Sequence, residues 1–104
     1  MFYNKEGKEI SVQEFTKLFE DKNYQVIKQD KLSNGYFIST VWLGINHSFV
    51  FSEKLLLFET MVFDSNKSSV EQKRYSTEKQ ALRGHKRFIK EYKDKFTIKI
   101  DLKN

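Results

Sequence analysis

The segment from residue 39 to residue 63 constrains the fold most, because it is the most apolar and aromatic part of the chain. It contains the only tryptophan, Trp42, and two apolar runs, one that ends at Leu43 and one over 55–63. β-Branched and aromatic residues dominate both runs, and this composition favours strands. A loop that begins at Gly44 separates them. The segment therefore predicts two central strands of a sheet, and the remaining elements must cover them.

Turn and capping signals place further elements on both sides of this segment. A polar linker with Gly7 predicts a hairpin near the N-terminus, and Asn34-Gly35 predicts a second hairpin. Ser11 and Thr77 each begin a capping box that predicts a helix start. The remaining predictions are a helix to about residue 21, a helix beyond residue 77, and strands over 24–32, 36–43, 55–63, 70–75 and 96–102.

This order predicts an α+β fold, with a mostly antiparallel sheet and two helices packed on it. The 104 residues suit a single domain, 1–104. The absence of cysteine excludes disulfides and thiolate metal sites. The apolar runs are too short to cross a bilayer, so we expect a soluble, intracellular protein without a membrane partner. No Walker loop, nucleophile elbow, zinc-protease helix or EF-hand loop occurs, and no cofactor is expected.

The positive charge is concentrated in the last third of the chain. Residues 1–72 hold eight Lys against ten Asp and Glu, a balance of −2, whereas residues 73–104 hold eleven Lys and Arg against four, a balance of +7. Such asymmetry predicts a polyanionic or acidic partner. The alternative is a lysine-rich surface that only keeps the chain in solution. The candidate binding residues lie on the exposed side of the second predicted helix: Lys79, Arg83, Lys86, Arg87, Lys90 and Lys93.

A catalytic or metal site could be built only from His47, Glu59 and His85, with Tyr75 as a candidate fourth member. Two imidazoles and a carboxylate can hold Zn²⁺ or exchange a proton. Their spacing matches no recognised metal motif, however, so a structural polar network is the favoured interpretation and no metal is expected. Glu59 must either face solvent or pair with a buried partner.

His85 lies on the apolar side of its predicted helix, next to Gly84. If that helix crosses the sheet, the glycine permits a close approach and His85 is buried with a hydrogen-bond partner. The partners expected from the sequence are a carbonyl of the loop 44–48, His47 or Glu59.

The aromatic residues allow two interpretations. Trp42 and the phenylalanines could offer a base-stacking surface, as in proteins that bind single-stranded nucleic acid. Because no accompanying signature is present, core packing is the favoured interpretation. The phenylalanines concerned are Phe37, Phe49, Phe51, Phe58 and Phe63.

Three segments, STVWLGINHSF, LLLFETMVF and RYSTEKQALRGH, carry a family resemblance. In this order and spacing they resemble a family of small uncharacterised phage and prophage proteins, over about residues 3–85. That family usually has a Gly/Pro-rich loop before the FETMVF-like strand, and residues 48–54 here contain neither residue type. The resemblance implies a phage origin but no agreed activity.

A phage origin implies a non-enzymatic inhibitor of host defence in the bacterial cytoplasm, such as an anti-CRISPR protein against an RNA-guided nuclease. Its expected partners are a host defence protein or nucleoprotein, with guide RNA as one candidate ligand of the basic helix. The alternatives are a small enzyme or metal-binding protein that uses the histidines, and a virion or assembly component.

Overall fold

The computed structural model describes residues 1–46 and 54–95. Its elements in chain order are β1 (Phe2–Tyr3), β2 (Glu9–Ile10), α1 (Val12–Glu20), α2 (Lys22–Gln25), β3 (Val26–Lys31), β4 (Phe37–Trp42), β5 (Phe58–Phe63), β6 (Ser69–Tyr75) and α3 (Glu78–Tyr92).

The main sheet has four strands in the order β3-β4-β5-β6, and every neighbouring pair is antiparallel. β1 and β2 form a separate two-stranded sheet. α3 lies across one face of the main sheet and contacts all four strands. These features confirm the predicted α+β fold with a mostly antiparallel sheet. None of the helices in the described ranges is long and apolar enough to cross a membrane.

The predicted capping residues begin both long helices. The Ser11 hydroxyl accepts from the backbone N–H of Glu14 at 3.1 Å, and the Thr77 hydroxyl accepts from that of Gln80 at 3.1 Å. Each bond satisfies one backbone donor that the first helical turn leaves without a partner. The sequence therefore predicted both helix starts correctly.

Two predicted strands begin later than expected. The strand predicted over 24–32 starts at Val26, because the Asp21 carboxylate accepts from the N–H of Asn23 and caps the short helix α2. The strand predicted over 55–63 starts at Phe58, and the N–H of Leu56 donates to the Asn46 side chain instead. The predicted strand 96–102 and most of the loop after Asn46 lie outside the described residues.

The core has two clusters, one between α3 and the sheet and one around Trp42 that α1 also covers through Phe15. Alternate residues of β4 and β5 face the helix, and they pair directly across the two strands. The pair Trp42–Phe58 is fully buried, so core packing is confirmed for these two aromatics. Phe37 and Phe63 lie on the other face, half-buried, with ring centroids 6.2 Å apart. Phe49 and Phe51 lie outside the described residues.

α3 approaches β6 closely at Gly84. A Cβ added to this glycine would lie 1.9 Å from the Tyr75 hydroxyl oxygen and 2.3 Å from Cζ of the same ring. Only a residue without a side chain allows the α3 backbone to lie this close to the Tyr75 ring. The close helix–sheet contact predicted for Gly84 is therefore confirmed.

Gly84→Ala should lower the free energy of unfolding by about 1–3 kcal/mol, because the added methyl group overpacks a filled site. Helix propensity acts in the opposite direction, since Ala is favoured over Gly by about 1 kcal/mol. Urea unfolding of both proteins measures the difference. In a Tyr75→Leu background the obstructing ring atoms are gone, so the same Gly84→Ala change should become neutral or stabilising. A similar loss in both backgrounds would contradict the proposed clash.

Candidate functional site

The exposed side of α3 carries all the cations predicted from the sequence. Each of these side chains is exposed: Lys79, Arg83, Lys86, Arg87, Lys90 and Lys93. None of them forms an ion pair with a residue of the described part of the chain. The two aromatic residues of this helix, Phe88 and Tyr92, are buried on the opposite side. Within α3, the exposed surface is therefore a charged face without an aromatic side chain for base stacking.

The positive surface continues from α3 onto β6. A cleft of about 320 Å³ lies between them. Its lining includes two arginines of α3, Arg83 and Arg87, together with Lys73 and Arg74 of β6 and Lys54 from the preceding loop. Sequence reasoning missed the last three, although the run Lys73-Arg74 next to the helix start was a usable signal. Strand β6 brings these cations to the helix because it is the edge strand on that side.

A carboxylate offsets the charge of Arg74 in this cleft. The Arg74 Nε donates to the Glu59 carboxylate at 3.0 Å. Of the two outcomes predicted for Glu59, pairing is thus the one observed, although its partner Arg74 is half-exposed. Lys73, Arg83 and Arg87 have no ion-pair partner within the described ranges. Clustered cations of this kind raise the local concentration of anions.

A buried hydrogen-bond chain fixes α3 on the sheet. His85 is fully buried, and its Nδ1 lies 2.7 Å from the Thr40 hydroxyl oxygen. The hydroxyls of Thr40 and Thr60 are 2.6 Å apart, across β4 and β5. The His85 Nε2 lies 2.7 Å from Oδ2 of Asp30 on β3. Because a carboxylate only accepts, Nε2 carries a proton and donates to Asp30, while Nδ1 and the Thr40 hydroxyl share the second hydrogen bond.

The predicted burial of His85 is confirmed. Of its predicted partners, His47 and residue 48 of the loop lie outside the described residues, whereas Glu59 and the carbonyls of residues 44–46 are wrong, because Thr40 and Asp30 engage the two ring nitrogens. The reason lies in the register of β3, which has an irregularity between Val26 and Lys28. Beyond this irregularity Asp30 pairs with Ile38, which puts its carboxylate on the helix side of the sheet.

The other end of α3 is also anchored. The Tyr92 hydroxyl donates to the Glu71 carboxylate on β6. Burial is the main cause that raises the pKa of this phenol, and Glu71 raises it further. The Asn34 amide donates to the carbonyls of Tyr92 and Lys95, at 2.7 and 2.8 Å, and satisfies acceptors at the helix end. The basic face is therefore carried by a helix that is held at its middle and at its C-terminal end.

The order Thr40, His85, Asp30 matches the nucleophile, base and orienting carboxylate of covalent catalysis. However, Thr40 and His85 are 0% exposed, so no substrate reaches the hydroxyl in this arrangement. Glu59 neighbours Thr60 on β5 and points to the opposite face, so the structure does not bring Glu59 and His85 together. His47 lies outside the described residues, and those described contain no cluster of three metal ligands. The geometry therefore favours a structural role for His85.

His85→Ala should destabilise the fold more than His85→Leu. Both changes remove the ring nitrogens, so that the Thr40 hydroxyl keeps only its bond to Thr60 and Asp30 loses its bond to His85, at about 1–3 kcal/mol. Only alanine also leaves a cavity, and large-to-Ala changes in cores cost about 2–5 kcal/mol. Chemical denaturation of the three proteins gives the order. Adding Thr40→Val and Thr60→Val to His85→Leu should recover stability, because the stranded hydroxyls are then gone. Equal stability of the Ala and Leu variants would argue against the packing role.

Comparison with known proteins returns no match to this chain among family models, curated proteins or solved structures.

Proposed function

We propose that this chain is a non-enzymatic binding protein that places the exposed face of α3 against the phosphate backbone of a nucleic acid. The single observation that carries this proposal is the set of exposed, unpaired cations on an anchored helix. Arginine and lysine side chains neutralise phosphates and release their counterions, which is the main source of sequence-independent affinity. Because no aromatic side chain of α3 accompanies them on that face, we expect the contact to be to the backbone rather than to stacked bases.

The length of the cationic face suits several phosphates. From Lys79 to Lys93 the helix rises by about 21 Å, at roughly 1.5 Å per residue. Duplex DNA carries one negative charge per about 1.7 Å of its axis. A face of this length can thus contact several phosphates at once, and affinity should depend strongly on salt.

The arrangement of the cations argues against a surface that serves only solubility. Lys79, Arg83 and Arg87 follow one another at i, i+4 spacing, and so do Lys86 and Lys90. Like charges at this spacing destabilise a helix, by about 0.2–0.5 kcal/mol for each pair. Alternating acids and bases would keep the chain soluble without this repulsion. A polyanionic partner offsets the repulsion in the bound state.

The resemblance to phage and prophage proteins supports a narrower proposal. The nucleic acid would then be part of a host defence nucleoprotein, such as an RNA-guided nuclease with its guide RNA. Capture of partners from infected host lysate tests this step. Capture of a defence nucleoprotein that disappears after nuclease treatment supports a contact through its RNA. Capture that resists nuclease shows a protein contact and contradicts the proposed route.

The double change Lys86→Glu with Lys90→Glu should abolish nucleic-acid binding while the fold survives, because both side chains are exposed. Fluorescence anisotropy with labelled RNA and DNA, repeated over a series of salt concentrations, measures the affinity. For the parent protein, log K should fall with log salt with a slope of about 0.9 in magnitude for each duplex phosphate that the face neutralises.

The matched control is Lys17→Glu with Lys22→Glu, which changes the net charge by the same amount on the exposed surface of α1 and α2. This variant should bind nearly as well as the parent protein. If both double variants bind equally weakly, net charge rather than the face of α3 explains binding. If both bind as tightly as the parent protein, the proposed surface is wrong.

A further inference from the structure

The hydroxyl of Tyr75 is the most unusual polar group of the cleft between β6 and α3. Tyr75 is only 9% exposed, and it is one of the residues that line this cleft. Its hydroxyl oxygen lies against Gly84. It forms no hydrogen bond with any residue of the described ranges, although a buried phenol normally finds a partner. A buried donor without a partner, in a residue that lines a cleft, leaves an acceptor for a ligand to supply.

The charges around this hydroxyl decide what kind of acceptor it meets. The lining of the cleft contains no aspartate or glutamate among the described residues, and it contains five cations. The nearby carboxylates are already engaged, Glu59 by Arg74 and Glu71 by Tyr92. Such a site disfavours a metal ion or a cationic ligand and favours an anion with several oxygen atoms.

Tyr75 is suited to donate to such an anion. Burial raises the pKa of its phenol, the nearby positive charge of Arg87 partly opposes this shift, and the negative charge of Glu71 adds to it. The hydroxyl is therefore protonated at neutral pH. The ammonium of Lys73 lies 5.8 Å from the centre of the same ring, so a cation borders the phenol on the β6 side as well.

We propose that the cleft binds one phosphate group. The Tyr75 hydroxyl donates to a phosphate oxygen, Arg83 and Arg87 neutralise its charge from α3, and Lys73 does so from β6. Arginine suits this task because its planar group matches the geometry of phosphate oxygens, and hydrogen bonds to an ionised acceptor are the stronger kind. The assignment of this phosphate to a nucleic acid, as opposed to a free phosphate, rests on the proposed function.

The decisive variant is Tyr75→Phe, because it removes only the oxygen. Since that hydroxyl has no partner among the described residues, the variant should fold with a melting temperature equal to that of the parent protein or higher. Its affinity for inorganic phosphate and pyrophosphate should fall about tenfold, the effect of removing one charge-assisted hydrogen bond. Arg87→Gln should weaken the binding of the same anions, whereas Lys17→Gln on α1 should not.

The measurement is a titration of the ¹⁵N-labelled full chain with inorganic phosphate, and then with pyrophosphate, at constant ionic strength. Saturable shifts confined to the amides around Tyr75, Gly84 and Arg87, weakened in Tyr75→Phe, support the site. Shifts that do not saturate, or that Tyr75→Phe leaves unchanged, overturn it. So does a Tyr75→Phe variant that loses stability while its phosphate affinity is retained.

A parallel titration with RNA and DNA distinguishes a failure of the phosphate site from a failure of the proposed function. If RNA binding depends on Lys86 and Lys90 while phosphate causes no amide shifts, the nucleic-acid surface on α3 is supported and the phosphate site is overturned. If inorganic phosphate saturates the cleft while RNA and DNA do not bind, the site stands as one for a free phosphate and the nucleic-acid proposal is overturned.

Discussion

The hydrogen-bond chain from Thr60 through Thr40 and His85 to Asp30 is the interaction on which the rest of the structure depends. It runs through the middle of an otherwise apolar interface and joins α3 to β3, β4 and β5. Apolar contacts alone tolerate sliding of a helix over a sheet. A buried imidazole between two partners does not, because a displaced ring loses its hydrogen bonds to Thr40 and Asp30 inside the interface. These hydrogen bonds therefore set the position and rotation of α3 on the sheet as well as contributing to its stability.

Once α3 is fixed, the charge distribution follows from helical periodicity. The turn that directs Gly84 and His85 into the sheet directs Arg83, Lys86 and Arg87 away from it. The Gly84–Tyr75 contact brings the helix close to β6, and this proximity joins the cations of the strand to those of the helix. The positive surface is thus held in place before any partner arrives, so that the backbone loses little conformational entropy on binding.

Local signals in the sequence predicted much of this fold. Ser11 and Thr77 marked the helix starts, and the period of apolar residues in α3 identified its buried side, including His85. The Asn34-Gly35 turn was predicted as well, since Gly35 adopts a φ of 97° that favours glycine. These features depend on neighbours within one or two turns of the chain. The four-residue helix α2 was missed, because a single Asp21 cap outweighs a strand pattern that was already imperfect.

The candidate site was less predictable because it depends on contacts between distant segments. Asp30 meets His85 only because a one-residue irregularity in β3 turns its carboxylate to the helix side, and alternation in sequence gives no sign of this. Lys73 and Arg74 join the basic face only because β6 is the edge strand beside α3. The cations of α3 could be predicted from spacing, but the cleft could not.

The most direct test of the proposed nucleic-acid surface is to map which residues of the protein contact nucleic acid. The backbone amides of the ¹⁵N-labelled protein are followed while a short single-stranded RNA, and in parallel a DNA duplex, is added at low salt. We expect shifts of the amide signals along the exposed side of α3 and at the Tyr75 end of β6, and none on the face of the sheet that carries Phe37 and Phe63. Shifts centred on that opposite face, or no shifts with either nucleic acid, would contradict the proposed surface.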